Sequence, residues 1–125
     1  AKLIFSGILD RFPRLAVCLP HAGGAFPYLV GRLERGRKLR PECAHLKRPL
    51  SAYLRRFTYD TISHAPESLS YLIKLMGADR VMIGSDYCFD MGYERPVHVI
   101  TRLRGLSRSD RARILGGTAA KLLRL

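Results

Sequence analysis

Residues 14–24 read Arg-Leu-Ala-Val-Cys-Leu-Pro-His-Ala-Gly-Gly. The first six are nearly continuously apolar, which is typical of a parallel strand that is buried on both faces. The following residues form a glycine-rich turn that contains a histidine. A buried strand over residues 14–19 that ends in such a turn predicts an α/β fold, in which functional side chains lie at the carboxyl ends of the strands.

Two more segments predict strands of the same sheet. They are residues 57–61, Phe-Thr-Tyr-Asp-Thr, and residues 80–86, Arg-Val-Met-Ile-Gly-Ser-Asp. Helical spacing follows each strand, at residues 26–40 with a short helix near 50–56, at residues 66–76 and near residues 96–103. Three strand–helix units in succession predict a parallel α/β fold. A closed eight-stranded α/β barrel takes about 250 residues, so three units would form roughly its second half.

The ends of the chain predict helices. Apolar residues at helical spacing over residues 3–12 stop at Pro13, and Ser107 has the sequence context of a helix cap near the other end. A glycine pair at residues 116–117 separates that helical segment from residues 119–123. No repeat or linker divides the chain, so we predict one domain, or part of one, over residues 1–125.

The composition indicates a folded domain without a membrane span. Of 125 residues, 47% are apolar and 26% charged, with a mean hydropathy of −0.04. No apolar run reaches the roughly 18 residues that a spanning helix needs, and the first residues lack the features of a signal peptide. Three cysteines, Cys18, Cys43 and Cys88, form no CxxC pair. We therefore expect reduced thiols and a cytoplasmic location.

The charge is strongly basic, at +12 from 22 Lys and Arg against 10 Asp and Glu. Residues 31–56 hold nine basic against two acidic residues, and residues 102–124 hold seven against one. A nucleic-acid interface has this kind of charge. However, these residues are spread along amphipathic helices, and tryptophan and interleaved aromatics are absent. We expect solvated helix faces, and a basic interaction or nucleic-acid-binding module remains the alternative.

His21 and Asp86 are the candidate catalytic residues. His21 precedes two glycines at the end of the first strand, and this position suits a general base or a metal ligand. Asp86 ends the third strand, where a carboxylate binds a metal or caps the next helix. Each alone also fits a structural role. Because parallel strands deliver their ends to one edge, we expect the two side chains to lie close together.

The chain lacks the motifs of a complete metal site. A catalytic zinc usually takes three or more protein ligands, and neither HxH nor HExxH occurs in the sequence. Asp60 and His64 lie near the end of the second strand. We expect Asp60 to bond neighbouring backbone groups, and Ser63 or His64, ahead of Pro66, to mark the entry to a helix. His45 and His98 have no partners nearby in the sequence and are expected at the surface.

Several motifs together carry a family resemblance. They are residues 19–24, Leu-Pro-His-Ala-Gly-Gly; residues 31–32, Gly-Arg; residues 59–61, Tyr-Asp-Thr; residues 77–80, Gly-Ala-Asp-Arg; and residues 84–87, Gly-Ser-Asp-Tyr. In this order and spacing, the chain resembles the C-terminal part of the amidohydrolase-superfamily (amidohydrolase 2) decarboxylases typified by aminocarboxymuconate-semialdehyde decarboxylase. The resemblance runs over nearly the whole chain. It implies a metal-dependent (β/α)8 TIM barrel, of which strands six to eight are present.

The resemblance also implies roles for individual residues. Asp86 would be the last-strand aspartate that completes a zinc site, and His21 the histidine that deprotonates metal-bound water. Arg32 and Arg40 match arginines that bind substrate carboxylates, one of them across a homodimer interface. Without the family, both arginines belong to a solvated basic helix face. Phe89 would line the substrate pocket.

Two positions depart from the family pattern. Cys88 stands where the family has proline, so the turn is less constrained and the family's pocket shape does not carry over directly to this chain. Thr118 stands where the family has asparagine before the final helix, and threonine is also a helix cap. The family's first-strand HxH pair and fifth-strand histidine would precede residue 1, so we expect the 125 residues alone to be inactive.

The expected reaction is non-oxidative decarboxylation of an unsaturated or aromatic carboxylic acid, with a divalent metal, zinc by preference, as cofactor. The same scaffold resembles hydrolases and hydratases, and these remain alternatives because the loops that separate them are not in the sequence. The expected partners are a small carboxylate substrate and a second copy of the chain. Neither a membrane nor nucleic acid is expected as a partner.

Overall fold

A three-stranded parallel sheet forms the centre of the computed structural model, which describes residues 1–125. The strands are β1 (Val17–Leu19), β2 (Phe57–Asp60) and β3 (Val81–Met82), in the order β1-β2-β3. Leu19 pairs with Tyr59, and Asp60 pairs with Met82. The prediction of three parallel strand–helix units is confirmed. All three carboxyl ends lie at the same edge of the sheet.

Eight α-helices surround this sheet. They are α1 (Lys2–Phe5), α2 (Ile8–Arg11), α3 (Phe26–Leu39), α4 (Leu50–Leu54), α5 (Pro66–Met76), α6 (Pro96–Arg102), α7 (Arg108–Ala112) and α8 (Thr118–Leu123). Prolines begin α5 and α6, where the missing N–H costs no hydrogen bond. Gly77 follows α5 with φ +85°, a conformation that favours glycine and ends the helix, as its position predicts.

The structure corrects two predicted elements. The helix predicted over residues 3–12 is split into α1 and α2, because Gly7 between them has φ +72° and cannot continue a right-handed helix. The strand predicted over residues 80–86 pairs only at Val81–Met82. Beyond that, Ile83 N–H donates to the carbonyl of Ile114 instead of to a strand, because β3 has a neighbour only on the β2 side.

The prediction that the first strand is buried on both faces is also wrong. Val17 and Leu19 are half-buried and Cys18 is exposed, because β1 is an edge strand of this sheet and nothing in these 125 residues covers its outer side. The central strand has the predicted burial instead. Phe57, Thr58 and Tyr59 of β2 are all buried. An apolar run thus predicts a strand but does not tell a central strand from an edge strand.

The apolar core packs around β2. Seventeen buried side chains form one cluster, which includes Tyr59, Leu50 of α4, Leu69 of α5 and Ile100 of α6. The phenol of fully buried Tyr59 donates to the carbonyl of Leu54 at 2.8 Å. Burial raises the pKa of Tyr59, so this phenol stays protonated and keeps its donor. The core therefore fixes the position of β2. Because β2 pairs with β1 and β3, it also fixes where the polar residues at the carboxyl ends of these strands lie.

The two predicted caps differ in outcome. Ser107 caps α7 as predicted, since its hydroxyl accepts from Asp110 N–H at 3.0 Å. Thr118 does not cap a helix. Its hydroxyl is buried and donates to the carbonyl of Ala78 at 3.2 Å, so it ties α8 to the segment before β3.

The three cysteines are free, as predicted. None of the helices combines the length and the apolar character that crossing a bilayer requires.

Candidate active site

The ends of β1 and β3 bring a histidine and a carboxylate together. Nε2 of His21 lies 3.7 Å from Oδ2 of Asp86. This distance exceeds that of a hydrogen bond, and the two groups form an ion pair when the imidazole is protonated. The His21 side chain is 61% exposed and that of Asp86 is 23% exposed. The pair is therefore open to solvent on the imidazole side.

Both residues have an unusual backbone conformation. His21 has φ +53°, Ala22 has φ +54° and Asp86 has φ +58°. This left-handed region is uncommon for residues other than glycine, and such conformations cluster at functional sites. The surrounding contacts must therefore hold both turns in place.

The Asp60 carboxylate, at the end of β2, holds the His21 turn. Its Oδ2 accepts from His21 N–H at 3.0 Å, and its Oδ1 accepts from Ala22 N–H at 2.8 Å. Oδ1 also accepts from Ile62 N–H at 3.0 Å. The prediction that Asp60 bonds neighbouring backbone groups is confirmed at Ile62. The bonds to the His21 turn were missed. The pairing of Leu19 with Tyr59 would have indicated them, because it places Asp60 beside the segment after β1.

At Gly23 the backbone of the same turn packs against β2. A Cβ at Gly23 would lie 2.8 Å from the ring of Tyr59 and 3.3 Å from Pro27. Its φ of +79° also favours glycine. Within the turn, Gly23 N–H donates to the carbonyl of Pro20 at 3.0 Å. The glycine predicted to permit close approach therefore lets the backbone lie on the Tyr59 ring.

The loop after β3 folds back on itself and carries Asp86. Tyr93 N–H donates to the carbonyl of Ser85 at 2.7 Å, and Phe89 N–H donates to the carbonyl of Asp86 at 2.9 Å. A Cβ at Gly92 would lie 2.7 Å from the Ser85 carbonyl oxygen, so the loop requires glycine there. Phe89 is 71% exposed. Phe89 thus lies beside Asp86 in the same turn and is largely accessible to solvent.

The two arginines lie on the exposed surface of α3 and at its end. Arg32 is within α3, and Arg40 follows its last residue. Neither guanidinium forms an ion pair within the chain. The 14 residues of α3 span about 20 Å, and the helix begins just after the His21 turn, so Arg40 is far from His21 of its own chain. The structure therefore does not bring Arg40 to the histidine–aspartate pair of its own chain.

His64 and Tyr93 form a second contact near this edge. The Tyr93 hydroxyl accepts from His64 N–H at 2.7 Å, and the two rings lie 4.5 Å apart. Ser63 and His64 lie directly before α5, which begins at Pro66, as the predicted helix entry requires, and the residue at the cap position is Ala65. A cavity of about 690 Å³ lies beside the two rings, between α5 and α6. Neither His21 nor Asp86 lines it.

The two remaining histidines are exposed, as predicted, but one of them has partners. Nδ1 of His45 lies 3.0 Å from the carbonyl oxygen of Glu42, and its Nε2 lies 2.9 Å from that of Phe5. His45 therefore ties the loop after α3 to α1, a role that its isolated position in the sequence did not indicate. His98 lies on α6 and borders the cavity.

The donor set near Asp86 fits part of a metal site. Imidazole nitrogen and carboxylate oxygen are both common ligands of divalent transition metals. The chain contains no group of three or more His, Cys, Asp or Glu side chains placed to hold a metal ion. Asp86 and His21 therefore supply at most two of the ligands or contacts that a catalytic metal needs.

Known proteins are similar to this chain in sequence and in fold. Residues 1–125 match the family described as Amidohydrolase. A 2-amino-3-carboxymuconate-6-semialdehyde decarboxylase of Dictyostelium discoideum is 36% identical over 126 residues, which cover 99% of this chain and 35% of the relative. The chain thus spans about a third of the length of the curated relatives that it matches.

Solved structures agree with the fold. The crystal structure of 5-carboxyvanillate decarboxylase from Sphingomonas paucimobilis has a TM-score of 0.86 and 32% identity, over 99% of this chain and 38% of that one. A dihydroxybenzoic acid decarboxylase from Polaromonas, with bound manganese and the inhibitor 2-nitroresorcinol, has a TM-score of 0.84 and 26% identity, over 99% of this chain and 38% of that one. The arrangement of strands and helices described above is therefore that of a part of these decarboxylases.

Proposed function

Since the chain belongs to the amidohydrolase family, we propose that it contributes one side of the active site of a metal-dependent decarboxylase. The observation that carries this proposal is the approach of His21 Nε2 to Asp86 Oδ2, at 3.7 Å, across the ends of two strands. Fold alone does not specify function, so the proposal rests on this pair together with relatives that are decarboxylases.

We further propose that residues 1–125 are the last three strand–helix units of a (β/α)8 barrel. Two observations support the view that the chain is part of such a barrel, and the order of the motifs in the sequence favours the C-terminal part. The chain covers 35–38% of the relatives, and both β1 and β3 lack a neighbour on their outer sides. In a closed barrel those edges pair with further strands. The other metal ligands would then come from outside these 125 residues, and the chain alone would be inactive.

His21 is the residue that moves a proton in this proposal. In a non-oxidative decarboxylation the carbon–carbon bond to the carboxylate breaks, its electron pair stays on the substrate carbon, and a proton takes the place of CO2. An imidazole nitrogen accepts a proton in the neutral ring and donates it from the protonated ring, so a histidine is suited to both halves of a proton transfer. With its side chain 61% exposed, His21 is accessible to a substrate carbon.

Asp86 would hold the metal. The carboxylate is beside His21 and forms no ion pair with lysine or arginine, so it is free to act as a ligand. When bound, a divalent ion supplies Lewis-acid polarisation of a substrate oxygen. The sequence favoured zinc, whereas the Polaromonas relative carries manganese. We propose a divalent ion, and we expect both manganese and zinc to support activity.

Arg32, Arg40 and Phe89 are proposed to bind the substrate. Guanidinium groups bind carboxylates through paired hydrogen bonds, and both arginines have no acidic partner within the chain. Phe89 offers an exposed ring beside Asp86. Arg40 lies at the far end of α3, so it would serve the site of a second subunit, in line with the homodimer expected from the sequence. The dimer and the cytoplasmic location remain predictions.

A chimeric enzyme provides the test. In this chimera, called the complete barrel below, residues 1–125 replace the aligned 35% of the Dictyostelium relative. It is incubated with Mn²⁺ or Zn²⁺ and with 5-carboxyvanillate, 2,6-dihydroxybenzoate or 2-amino-3-carboxymuconate-6-semialdehyde, and released CO2 is measured. Metal-dependent CO2 release from at least one substrate is expected. A barrel that binds metal and adds water to a substrate without releasing CO2 would instead favour the hydratase or hydrolase alternative.

The basic-module alternative is tested separately. Tight binding of the 125-residue protein to DNA or RNA at about 150 mM salt, weakening steeply as salt rises, would favour it over the enzyme. We expect no such binding, because the basic residues lie along several separate helices.

A further inference from the structure

We propose that Asp60 is a positioning residue, which holds the backbone of His21 so that the imidazole faces Asp86. This inference rests on the proposed function, because it assigns a task to His21. Asp60 lies in the middle strand, between the strands that lead to His21 and to Asp86. Its carboxylate supplies the side-chain hydrogen bonds from the central strand to the histidine turn, whose backbone also packs on the ring of Tyr59.

The hydrogen bonds of the Asp60 carboxylate are all to backbone N–H groups. Oδ2 accepts from His21 at 3.0 Å, while Oδ1 accepts from Ala22 at 2.8 Å and from Ile62 at 3.0 Å. Neither a hydrogen bond nor an ion pair joins the Asp60 carboxylate to the imidazole, whose ion-pair partner is Asp86. Any influence on His21 therefore passes through the position of the main chain and not through a direct bond to the ring.

The turn needs such an anchor because of its conformation. His21 and Ala22 are consecutive residues with φ +53° and +54°, a region that side chains with a Cβ disfavour. The other polar bonds of the turn, from Gly23 N–H to Pro20 and from Gly24 N–H to His21, stay within the turn itself. Asp60 provides the hydrogen bonds that connect it to the sheet. Without them, His21 and Ala22 can relax to ordinary φ values, and the ring moves away from Asp86.

A carboxylate suits this task because both of its oxygens accept. Asparagine has one accepting oxygen and one NH2 group. If the amide oxygen of the Asp60→Asn variant takes the place of Oδ1, it keeps the bonds to Ala22 and Ile62, but the NH2 group then faces the N–H of His21. Asp60→Asn therefore removes the His21 bond selectively while it keeps size and the other two acceptor bonds.

The rival interpretation is that Asp60 only stabilises the loop after β2. Its bond to Ile62, two residues later, is a local turn of the kind that aspartate often forms. A purely stabilising role would lower the melting temperature without changing the chemistry at His21. Thr118→Val is the matched control, because it removes one buried hydrogen bond, to Ala78, far from the proposed reaction.

The first measurement uses the 125-residue protein and NMR. An N–H that donates to a carboxylate resonates downfield, so the His21 amide of the ¹⁵N-labelled protein should shift upfield in Asp60→Asn, and the ring resonances of His21 should broaden or shift. Thr118→Val should leave both unchanged. A His21 amide and ring at their wild-type positions in Asp60→Asn would overturn the inference.

The second measurement is turnover of 5-carboxyvanillate or of the best substrate of the complete barrel. Displacement of a reacting group by about 1 Å costs as much as 100-fold in rate, so Asp60→Asn should lower kcat by about 10- to 100-fold and change KM by less than about twofold. Asp60→Glu, which keeps two accepting oxygens, should recover part of the loss. Thr118→Val should lower the melting temperature and leave kcat unchanged.

The outcomes separate this inference from the proposed function. If His21→Asn is inactive while Asp60→Asn turns over at the wild-type rate, His21 is required but Asp60 does not position it, and the inference is overturned alone. If His21→Asn is itself fully active, the proposed site is wrong and the inference fails with it. If Asp60→Asn and Thr118→Val lose the same stability and neither changes kcat, Asp60 is structural only.

Discussion

Nε2 of His21 and Oδ2 of Asp86 lie 3.7 Å apart, although the strands that lead to them are separated by a third strand. This relationship exists because parallel strands present their carboxyl ends at one edge. Both residues also have left-handed backbone conformations, at φ +53° and +58°. Each end of the pair has its own support, Asp60 for the histidine turn and the folded loop after β3 for the aspartate.

Asp86→Asn should weaken metal binding. Asparagine keeps the shape of the side chain but removes the anionic oxygen, and loss of supporting groups alone costs a metal site about 10- to 100-fold in affinity. We expect at least a tenfold increase in the Kd for Mn²⁺ of the complete barrel, measured by titration. Asp90→Asn, an exposed carboxylate of the same loop, is the control and should bind as the wild type does. Unchanged affinity in Asp86→Asn would remove Asp86 from the metal site.

Gly23→Ala should destabilise the histidine turn. The added Cβ would lie 2.8 Å from the ring of Tyr59, which is buried and cannot move aside, and φ of +79° disfavours alanine. A cost of about 1–3 kcal/mol is expected in the free energy of unfolding, measured with urea. Gly31→Ala is the matched control. It lies inside α3 with no atom within 4 Å of its Cβ, and it should stabilise the protein by about 0.5–1 kcal/mol.

The contact of α3 with α4 should depend on pH. Hydrogen bonds from Arg37 and from Leu50 N–H hold the pKa of Glu34 at about 2, below its usual 4.5. The unfolded state binds this proton more readily, so the contribution is complete above about pH 4.5 and is lost as the pH falls toward 2. Glu34→Gln should lower the free energy of unfolding by about 1 kcal/mol at pH 7, a figure reduced for partial exposure, and by little at pH 2.

A control checks the origin of that pH dependence. Glu94 is exposed and forms no ion pair, so Glu94→Gln should leave unfolding unchanged at both pH values. If Glu34→Gln destabilises equally at pH 7 and pH 2, the charge of Glu34 does not account for the contact.

Arg32→Gln should raise KM and leave kcat nearly unchanged. The guanidinium is proposed to bind a substrate carboxylate away from the bond that breaks, so its loss weakens binding of substrate and transition state alike. In the complete barrel we expect a rise of about tenfold or more for 5-carboxyvanillate, which has two carboxylates. Arg35→Gln, on the same exposed helix, serves as control. An equal effect of the two substitutions would indicate general loss of positive charge instead of a specific contact.

The sequence was sufficient to predict the parallel α/β arrangement and the meeting of His21 with Asp86. The first follows from the periodicity of apolar residues, which is a local property of the sequence. The second follows because parallel strands present their carboxyl ends at one edge of the sheet. The burial of β1 was predicted wrongly, because the burial of a strand depends on how many strands flank it. The sequence of residues 14–19 does not give that number. The break between α1 and α2 at Gly7 was missed, because the backbone angle φ of a glycine within a helical pattern cannot be predicted from the pattern itself.

The part played by Asp60 was the larger omission. The sequence predicted that Asp60 bonds neighbouring backbone groups, as it does at Ile62, but it did not predict the bonds to His21 and Ala22, which depend on strand register. Thr118 was missed for the same reason, since its partner, the carbonyl of Ala78, is distant in sequence. Long-range polar contacts need the register of the sheet before they can be predicted.

The most direct test of the account is the rate of CO2 release by the complete barrel with His21→Asn. General acid–base catalysis by a positioned side chain contributes about 100- to 10,000-fold, so kcat should fall by at least about 100-fold while Mn²⁺ remains bound. The matched variant His98→Asn, an exposed histidine of α6, should keep the wild-type rate. Wild-type turnover in His21→Asn would contradict the central claim that this histidine moves the proton.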